Sequence, residues 1–337
     1  MTCPSLGEAM RRREFIGLLG GLAAIPLAAR AQQAGRVRKV GILMPFSPSD
    51  KEMQGRVQAL KEELQNRGWT RGANIEFDER WTTDNMDLVR ANAANLVELK
   101  PDVIVAIGGR VIPVLMQLTR TVPIIIPGSA SPVEAGFIKS LARPGGNVTG
   151  FATLELSVIG RILETLKQIA PGTSRVAMIY NPDNPAAINY RGPFESSALP
   201  LSVQPINAPI HSIADIERAI EALAAQPNGG VFFPPDITTF TLCDQVNTIL
   251  ARHRVPAIYT DRRCVTSGGL VSYDADRADI FRRTASYVDR VLRGEKPGDL
   301  PFQQPTKYQL TINLKTARAL GLTVPTTLLA TADEVIE

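Results

Sequence analysis

The sequence predicts an α/β protein with two similar lobes, each built on a parallel sheet between layers of helices. One stretch occurs twice: Asp102–Gly109 followed by Val122–Ser129, and Gly230–Asp236 followed by Val255–Asp261. The copies start about 130 residues apart, a spacing that is too long for a solenoid and suits two domains. Buried strands also alternate with helices of about 10 to 15 residues, which is the pattern of parallel sheets covered on both faces.

The elements of the first half follow from their residue patterns. Arg38–Met44 is apolar after its charged start and is typical of a buried parallel strand. A helix of about 50–67 follows, with its apolar residues on one face. The other predicted elements are strands Ile75–Trp81 and Ile124–Ile126, helices 86–99 and 111–119, and a short helix ending at Leu141. Ala142–Gly150 is rich in turn-forming residues and marks a boundary.

The second half repeats this order, and its strand Arg175–Tyr180 mirrors Lys39–Met44. The other predicted strands are 202–206, 256–259, 269–273 and 308–313, and the predicted helices are 157–169, 186–198, 212–225, 238–252, 276–293 and 314–320. Ligands of open α/β sheets bind outside the carboxyl ends of the strands. Two such sheets that face each other would therefore place their strand-end loops in one cleft.

Two strand-end loops of the first half carry groups that can hold an anion. Gly109 lies at a helix start, where free backbone amides bind carboxylates, and Ser129 and Ser131 add hydroxyl groups. The Arg110 guanidinium can pair with a ligand carboxylate or point to solvent. Glycine and serine are equally what tight turns need, so both interpretations stay open.

Two carboxylates follow strands of the second half. Asp236 and Asp261 can each accept a ligand ammonium group or cap the helix that follows, and Arg262 offers Asp261 an ion-pair partner. Asn181 can hydrogen-bond a ligand or cap its own loop. The remaining predicted ligand contacts are the aromatic walls Phe46 and Tyr273, together with Ser47 and Tyr259. Anion-binding groups in one half and carboxylates in the other suggest a zwitterionic ligand.

The inventory of reactive side chains argues against an enzyme. His211 and His253 are the only histidines, and neither follows a strand. The sequence has no nucleophile elbow, phosphate-binding loop or Cys/His cluster with metal-ligand spacing, so we expect no catalytic residue, metal or cofactor. The net charge of +4 comes without a clustered basic face, which argues against a nucleic-acid partner.

The N-terminus has the three parts of a secretory signal. Arg11–Arg13 precede a short apolar run, Gly17–Ala28, which closes with Ala29–Ala31. The alternatives are an ordinary N-terminal helix or a membrane anchor, for which the apolar run is too short. We expect residues 1–31 to be removed by cleavage after Ala31, with either Met1 or Met10 as the true start.

The basic pair in this segment indicates the export route. Arg12 and Arg13, followed after one spacer by Phe15 and Ile16, resemble the twin-arginine motif. The sequence therefore predicts a bacterial host and a periplasmic location.

Three cysteines fit an exported protein. Cys3 would leave with the signal, whereas Cys243 and Cys264 would remain in an oxidising compartment that permits a disulfide. Contact between them is possible, but two cysteines at arbitrary spacing say little, so we expect two separate thiols.

Several runs of the sequence resemble a known family. They are Leu141–Gly150, Gly268–Tyr273, Gln304–Tyr308 and Ile312–Ala317. With the export signal, they look like the ABC-transporter substrate-binding proteins of the TrpX-like group, which have the type I periplasmic binding-protein fold. The resemblance covers nearly all of residues 37–337.

This resemblance implies two Rossmann-like lobes with parallel sheets, joined by a hinge and closing over a small ligand. It implies crossovers that place 37–148 and about 277–337 in lobe 1 and 149–276 in lobe 2. We expect a monomer that captures an amino acid or a small aromatic or carboxylate compound and delivers it to a membrane permease. Two alternatives are a two-lobe sensor for regulation, which would need a DNA-binding unit, and an exported α/β enzyme.

Overall fold

The computed structural model describes residues 36–83, 85–129, 131–184 and 187–337. Within these ranges the chain forms two α/β lobes with mostly parallel sheets, which confirms the predicted fold class. The predicted export signal, residues 1–31, lies outside the described residues. No helix in the described part of the chain is both long enough and apolar enough to cross a membrane.

The first lobe contains five parallel strands in the order β2-β1-β3-β4-β5. They are β1 Arg38–Met44, β2 Ile75–Trp81, β3 Val103–Ala106, β4 Ile124–Ser129 and β5 Val148–Ala152. The helices between them are α1 Lys51–Asn66, α2 Met86–Glu98 and α3 Val111–Leu118. Side chains along β1 alternate between two apolar clusters, with Ile42 in one and Leu43 in the other, so the strand is buried on both faces.

The second lobe contains seven strands in the order β12-β11-β10-β9-β8-β6-β7. They are β6 Arg175–Tyr180, β7 Gln204–Pro209, β8 Gly229–Phe233, β9 Ala257–Tyr259, β10 Val271–Ala275, β11 Tyr308–Asn313 and β12 Glu334–Ile336. Its helices are α4 Ile159–Ile169, α5 Arg191–Ala198, α6 Ile213–Ala224, α7 Ile237–Thr241, α8 Cys243–His253 and α9 Arg262–Thr266. Only β10 and β11 pair antiparallel among these strands.

The remaining helices are α10 Arg277–Leu292, α11 Leu314–Ala319 and α12 Thr326–Leu329. The apolar face of α10 packs with α1 in the core of the first lobe, where Phe281 and Val288 join Leu60. The chain then returns, and β11 pairs with β10 in the sheet of the second lobe. The predicted assignment of residues 277–337 to lobe 1 is therefore wrong from β11 onward.

A disulfide joins the start of α8 to α9. Cys243 and Cys264 are bonded across a separation of 21 residues, with their Cα atoms 5.0 Å apart. The prediction of two separate thiols is wrong, because the fold brings two loops that follow neighbouring strands, β8 and β9, together. Closing a loop of this length stabilises a folded chain by about 3 kcal/mol.

Candidate functional site

The carboxyl ends of strands from both sheets surround one cleft between the lobes. The first lobe lines it with Phe46 after β1, Gly108 and Gly109 after β3, Gly128 and Ser129 at the end of β4, and Thr153 after β5. The second lobe adds Asn184 after β6, Pro235 and Asp236 after β8, and Asp261 after β9. The cavity is about 80 Å³, enough for several water molecules. The lobes are therefore close together, around a space that suits a small molecule.

Apolar and aromatic side chains form a large part of the walls of this cleft, beside the polar groups. They are Phe46, Met53, Ile107, Tyr190, Ile237, Phe240 and Phe281. Each of these aromatic side chains is at most 9% exposed. Such a lining favours a ligand with an apolar or aromatic body and a small number of polar groups.

Asp261 is the centre of a buried charge cluster at the edge of the cleft. Its carboxylate accepts from Arg56 at 3.4 Å and from Nε of Arg263 at 3.0 Å. Burial opposes its ionisation, but the positive charges of Arg263, Arg56 and Arg277 outweigh burial and hold the pKa of Asp261 well below its usual range. Asp261 is therefore an ionised, fully paired carboxylate.

Two ion pairs of this region, Arg56–Asp261 and Arg263–Asp50, cross from one lobe to the other. Arg56 lies on α1 of the first lobe, whereas Asp261 and Arg263 belong to the second. Arg263 also pairs with Asp50 of the first lobe at 3.2 Å, and its guanidinium lies 5.1 Å from the centre of the Phe46 ring. Charged and aromatic groups thus hold the two lobes in a closed arrangement.

Asp236 is the second carboxylate of the cleft and is 1% exposed. Its Oδ1 accepts from the backbone N–H of Thr238, and its Oδ2 accepts from that of Asn181, both at 2.9 Å. The capping role that the sequence allowed is therefore present, in a residue that also faces the ligand space.

Comparison with known proteins identifies the family. The model of the family described as "ABC transporter substrate binding protein" matches residues 39–336. The chain belongs to this family of substrate-binding proteins. Since they are solute-binding components of ABC transporters, the family accounts for a cleft that encloses a small molecule.

Individual relatives are similar in sequence or in structure. A tyrosine-binding protein of Clostridioides difficile is 26% identical over 287 residues, covering 85% of this chain and 81% of the relative. A conserved domain protein from Vibrio cholerae has a TM-score of 0.83 and 27% identity, covering 89% of this chain and 100% of that chain. An ABC domain from Streptococcus pneumonia solved with L-Trp has a TM-score of 0.82 and 23% identity over the same shares.

Three polar atoms of residues that line the cleft have no hydrogen-bond partner among the described residues. They are Nε of Arg56, the hydroxyl of Tyr190 and Nε of Arg277. Burial raises the pKa of Tyr190 well above its ordinary value, so this hydroxyl stays protonated and can donate. Arg277 donates to the Thr260 carbonyl at 2.9 Å through Nη2, which fixes its guanidinium at the cleft. Unsatisfied buried donors are costly, and a ligand acceptor would satisfy them.

Another unsatisfied group lies just behind the cleft. Asp274 is 2% exposed, and its Oδ2 accepts from the backbone N–H of Arg262 at 3.1 Å. Its Oδ1 has no partner in the part of the chain that the structure describes. Burial first, and then the charge of Asp261, raise the pKa of Asp274 to about 7, although Arg277 and Arg56 oppose the shift.

The structure brings five of the predicted ligand contacts together in the lining of the cleft. They are Phe46, Gly109, Ser129, Asp236 and Asp261. All five follow or end a strand, as expected if the ligand binds outside the carboxyl ends of the strands, which we call the strand-end rule. A Cβ at Gly109 would come too close to Oδ1 of Asn184 from the opposite lobe, so a larger residue would require the Asn184 side chain to shift.

Two predicted aromatic contacts point elsewhere. Tyr259 stacks on Phe233 with ring centres 4.9 Å apart, and its hydroxyl donates to Asn247 inside the core. Tyr273 stacks on Tyr308 with ring centres 5.5 Å apart. Neither tyrosine lines the cleft, for one reason: both lie in strands, and alternation directs their side chains to a face of the sheet.

The other four predicted contacts also lie outside the lining. Ser47 is exposed and bonds to Ser49. Arg110 starts α3 and is half-buried, and Ser131 is buried beside β4. Asn181 supports Asp236 through its backbone and donates its amide to Thr238 at 3.0 Å.

The polar residues of the cleft lining that were absent from the prediction are Arg56, Thr153, Asn184, Tyr190, Arg263 and Arg277. Arg277 follows β10, so the strand-end rule could have found it. Arg56 lies in the middle of α1, and Tyr190 ends a short 3₁₀ helix, Ala187–Tyr190, so no local signal marks either one. Among the described residues, no group of His, Cys, Asp and Glu is arranged to hold a metal ion.

Proposed function

We propose that the protein is the periplasmic solute-binding component of an ABC importer. It captures a small molecule with a carboxylate and an apolar body, most simply an amino acid or a small aromatic acid. It acts as a monomer that delivers this ligand to a membrane permease. The observation that carries the proposal is the set of unsatisfied donors on Arg56, Tyr190 and Arg277, in a cleft that both lobes line.

The charges of the cleft give the ligand its orientation. Asp261 is already paired with two arginines, so Arg277 is the group that would hold a ligand carboxylate. Asp236 lies across the cleft in the second lobe and would accept an ammonium group if the ligand has one. Names of relatives that bind tyrosine or L-Trp support an amino-acid ligand.

Export and cleavage belong to this proposal. Residues 1–31 would direct the chain to the periplasm through the twin-arginine route. The mature protein would begin at Gln32.

A thermal-shift screen of the mature protein tests the proposed function. The probes are the common amino acids, with L-Trp and L-Tyr among them, and small aromatic acids such as benzoate. A ligand at 100 times its Kd stabilises the folded state by about 2.7 kcal/mol, so we expect a clear rise in Tm for at least one probe.

An Arg277→Lys variant should lose most of this rise, because lysine cannot form the bidentate pair. Arg252→Lys is a matched control, since Arg252 pairs with Glu217 on the surface of the second lobe. A response that is equal in both variants would remove Arg277 from the site. Recovery of chemically altered ligand would favour an enzyme instead.

A further inference from the structure

The lobes are held together by charges that belong to the protein itself. Arg263 of α9 makes two bonds to Asp261, from Nε at 3.0 Å and from Nη2 at 3.2 Å. Its Nη1 donates to Asp50 of the opposite lobe at 3.2 Å. Asp261 in turn accepts from Arg56 of that lobe. We call Asp50, Arg56, Asp261 and Arg263 the latch.

The two acidic members of the latch cap helices that face each other. Asp50 caps α1 through a bond from the Met53 N–H at 2.9 Å, and Asp261 caps α9 through a bond from the Arg263 N–H at 3.0 Å. Because each cap also binds the same guanidinium, the latch joins the starts of two helices across the cleft. Because Arg263 lies between two fixed carboxylates, its side chain loses little conformational entropy when the lobes close.

Aromatic rings from both lobes enclose the same guanidinium. Its carbon lies 5.1 Å from the ring centre of Phe46 in the first lobe and 5.7 Å from that of Phe240 in the second. Cation–π contacts of this kind gain strength where water is excluded, and the Arg263 side chain is 12% exposed. The disulfide at Cys264, the next residue, fixes the helix that carries Arg263.

We infer that Asp50 is a positioning residue that sets the balance between open and closed lobes without touching the ligand. The other three latch members line the cleft, whereas Asp50 does not. A change at Asp50 therefore leaves the lining intact. The latch stabilises the closed state before a ligand arrives and slows opening after it has bound. Ligand release therefore depends on breaking the Asp50–Arg263 pair.

The Asp50→Asn variant isolates this role, because asparagine caps helices as well as aspartate does but carries no charge. Asp50→Ser is a second variant with a good cap. Asp87→Asn is the control, since Asp87 pairs with Arg90 within the first lobe on an exposed face of α2.

Small-angle scattering of ligand-free mature protein, refolded to remove any copurified ligand, gives the first test. We expect a larger radius of gyration for both Asp50 variants than for wild type and Asp87→Asn, with unchanged circular dichroism. Equal radii in all four proteins would overturn the inference. This test needs no ligand, so it stands even if the proposed function fails.

Release kinetics give the second test, which rests on the proposed function and uses the best probe from the screen. We expect a dissociation rate about threefold to tenfold faster in Asp50→Asn, with little change in the association rate. An unchanged dissociation rate would sink the latch and leave the proposed function standing.

Discussion

A ligand in the cleft would explain why the buried Tyr190 has an unsatisfied hydroxyl. Tyr190 is wholly buried, and in a protein without a ligand its hydroxyl would be a net cost. Nε of Arg277 nearby also lacks a hydrogen-bond partner among the described residues. At the scale of single residues, the site is therefore a set of donors placed for an acceptor that arrives from outside.

Tyr190→Phe separates binding from folding. Removing the hydroxyl should leave the Tm of the ligand-free protein unchanged or slightly higher, because no internal bond is lost. We expect the Kd for the best probe to rise about fivefold to tenfold, as for one lost hydrogen bond. Calorimetric titration measures the Kd, and Tyr180→Phe, a buried tyrosine outside the lining, is the control. Equal losses of affinity in both variants would count against a ligand contact at Tyr190.

Asp274 gives the protein a pH dependence that the paired Asp261 does not. Its pKa is raised to about 7 in the folded protein, so the folded state binds the proton more tightly than the unfolded state does. Stability from this group is complete below its unfolded pKa, near 3.9, and is lost as the pH rises towards 7. Asp261, with a lowered pKa, acts in the opposite direction and only under acid conditions.

Asp274→Asn should abolish this slope. In urea denaturation at several pH values, the free energy of unfolding of wild type should fall between about pH 4 and pH 7. That of the variant should change much less over this range. The variant should also gain on wild type at pH 8, where the wild-type carboxylate is buried and charged. A wild-type slope that persists in Asp274→Asn would assign the titration to another group.

The sequence located this site only in part, for reasons visible at the same scale. A strand end fixes where the backbone of Asp236 and Asp261 lies, and both side chains face the cleft. It does not fix where a side chain within the strand points, which is why Tyr259 belongs to the core. Arg56 reaches the cleft from the middle of a helix, through packing that no single stretch of sequence encodes.

At the scale of elements, periodicity predicted most helices and strands but not their partners. The pattern of β11 is that of any buried strand, and nothing local shows that it pairs antiparallel with β10. The region from Pro132 to Leu141, predicted as a helix, forms turns, and Gly136 adopts a φ of 73° there. The helix predicted at 238–252 is divided into α7 and α8 at Leu242.

The disulfide between two of these elements carries a prediction of its own. Replacing both Cys243 and Cys264 by serine should lower the free energy of unfolding by about 3 kcal/mol, because the bond closes a loop of 21 residues. Urea denaturation of the mature variant and of wild type with and without reductant measures this loss. Reductant should have no effect on the variant, and equal midpoints for all samples would contradict a bond in solution.

At the scale of the whole molecule, the proposed export route depends on the pair Arg12 and Arg13. An Arg12→Lys, Arg13→Lys double variant should accumulate in the cytoplasm with residues 1–31 attached, because the twin-arginine route requires the arginine pair. Cell fractionation with an antibody to the mature protein measures this distribution. A Lys39→Arg variant is the control, and normal export of the double variant would exclude this route.

The return of the chain through β11 also affects when the molecule can fold. The first lobe lacks a cover for α1 until α10 has been made, and the second sheet lacks β11 and β12 until the last residues are added. Independent domains fold one after the other during synthesis. Here neither lobe can complete its core before the C-terminal part of the chain is made. The contacts that finish both lobes join residues far apart in sequence, which slows folding. The ribosome thus releases a chain whose two halves mature together.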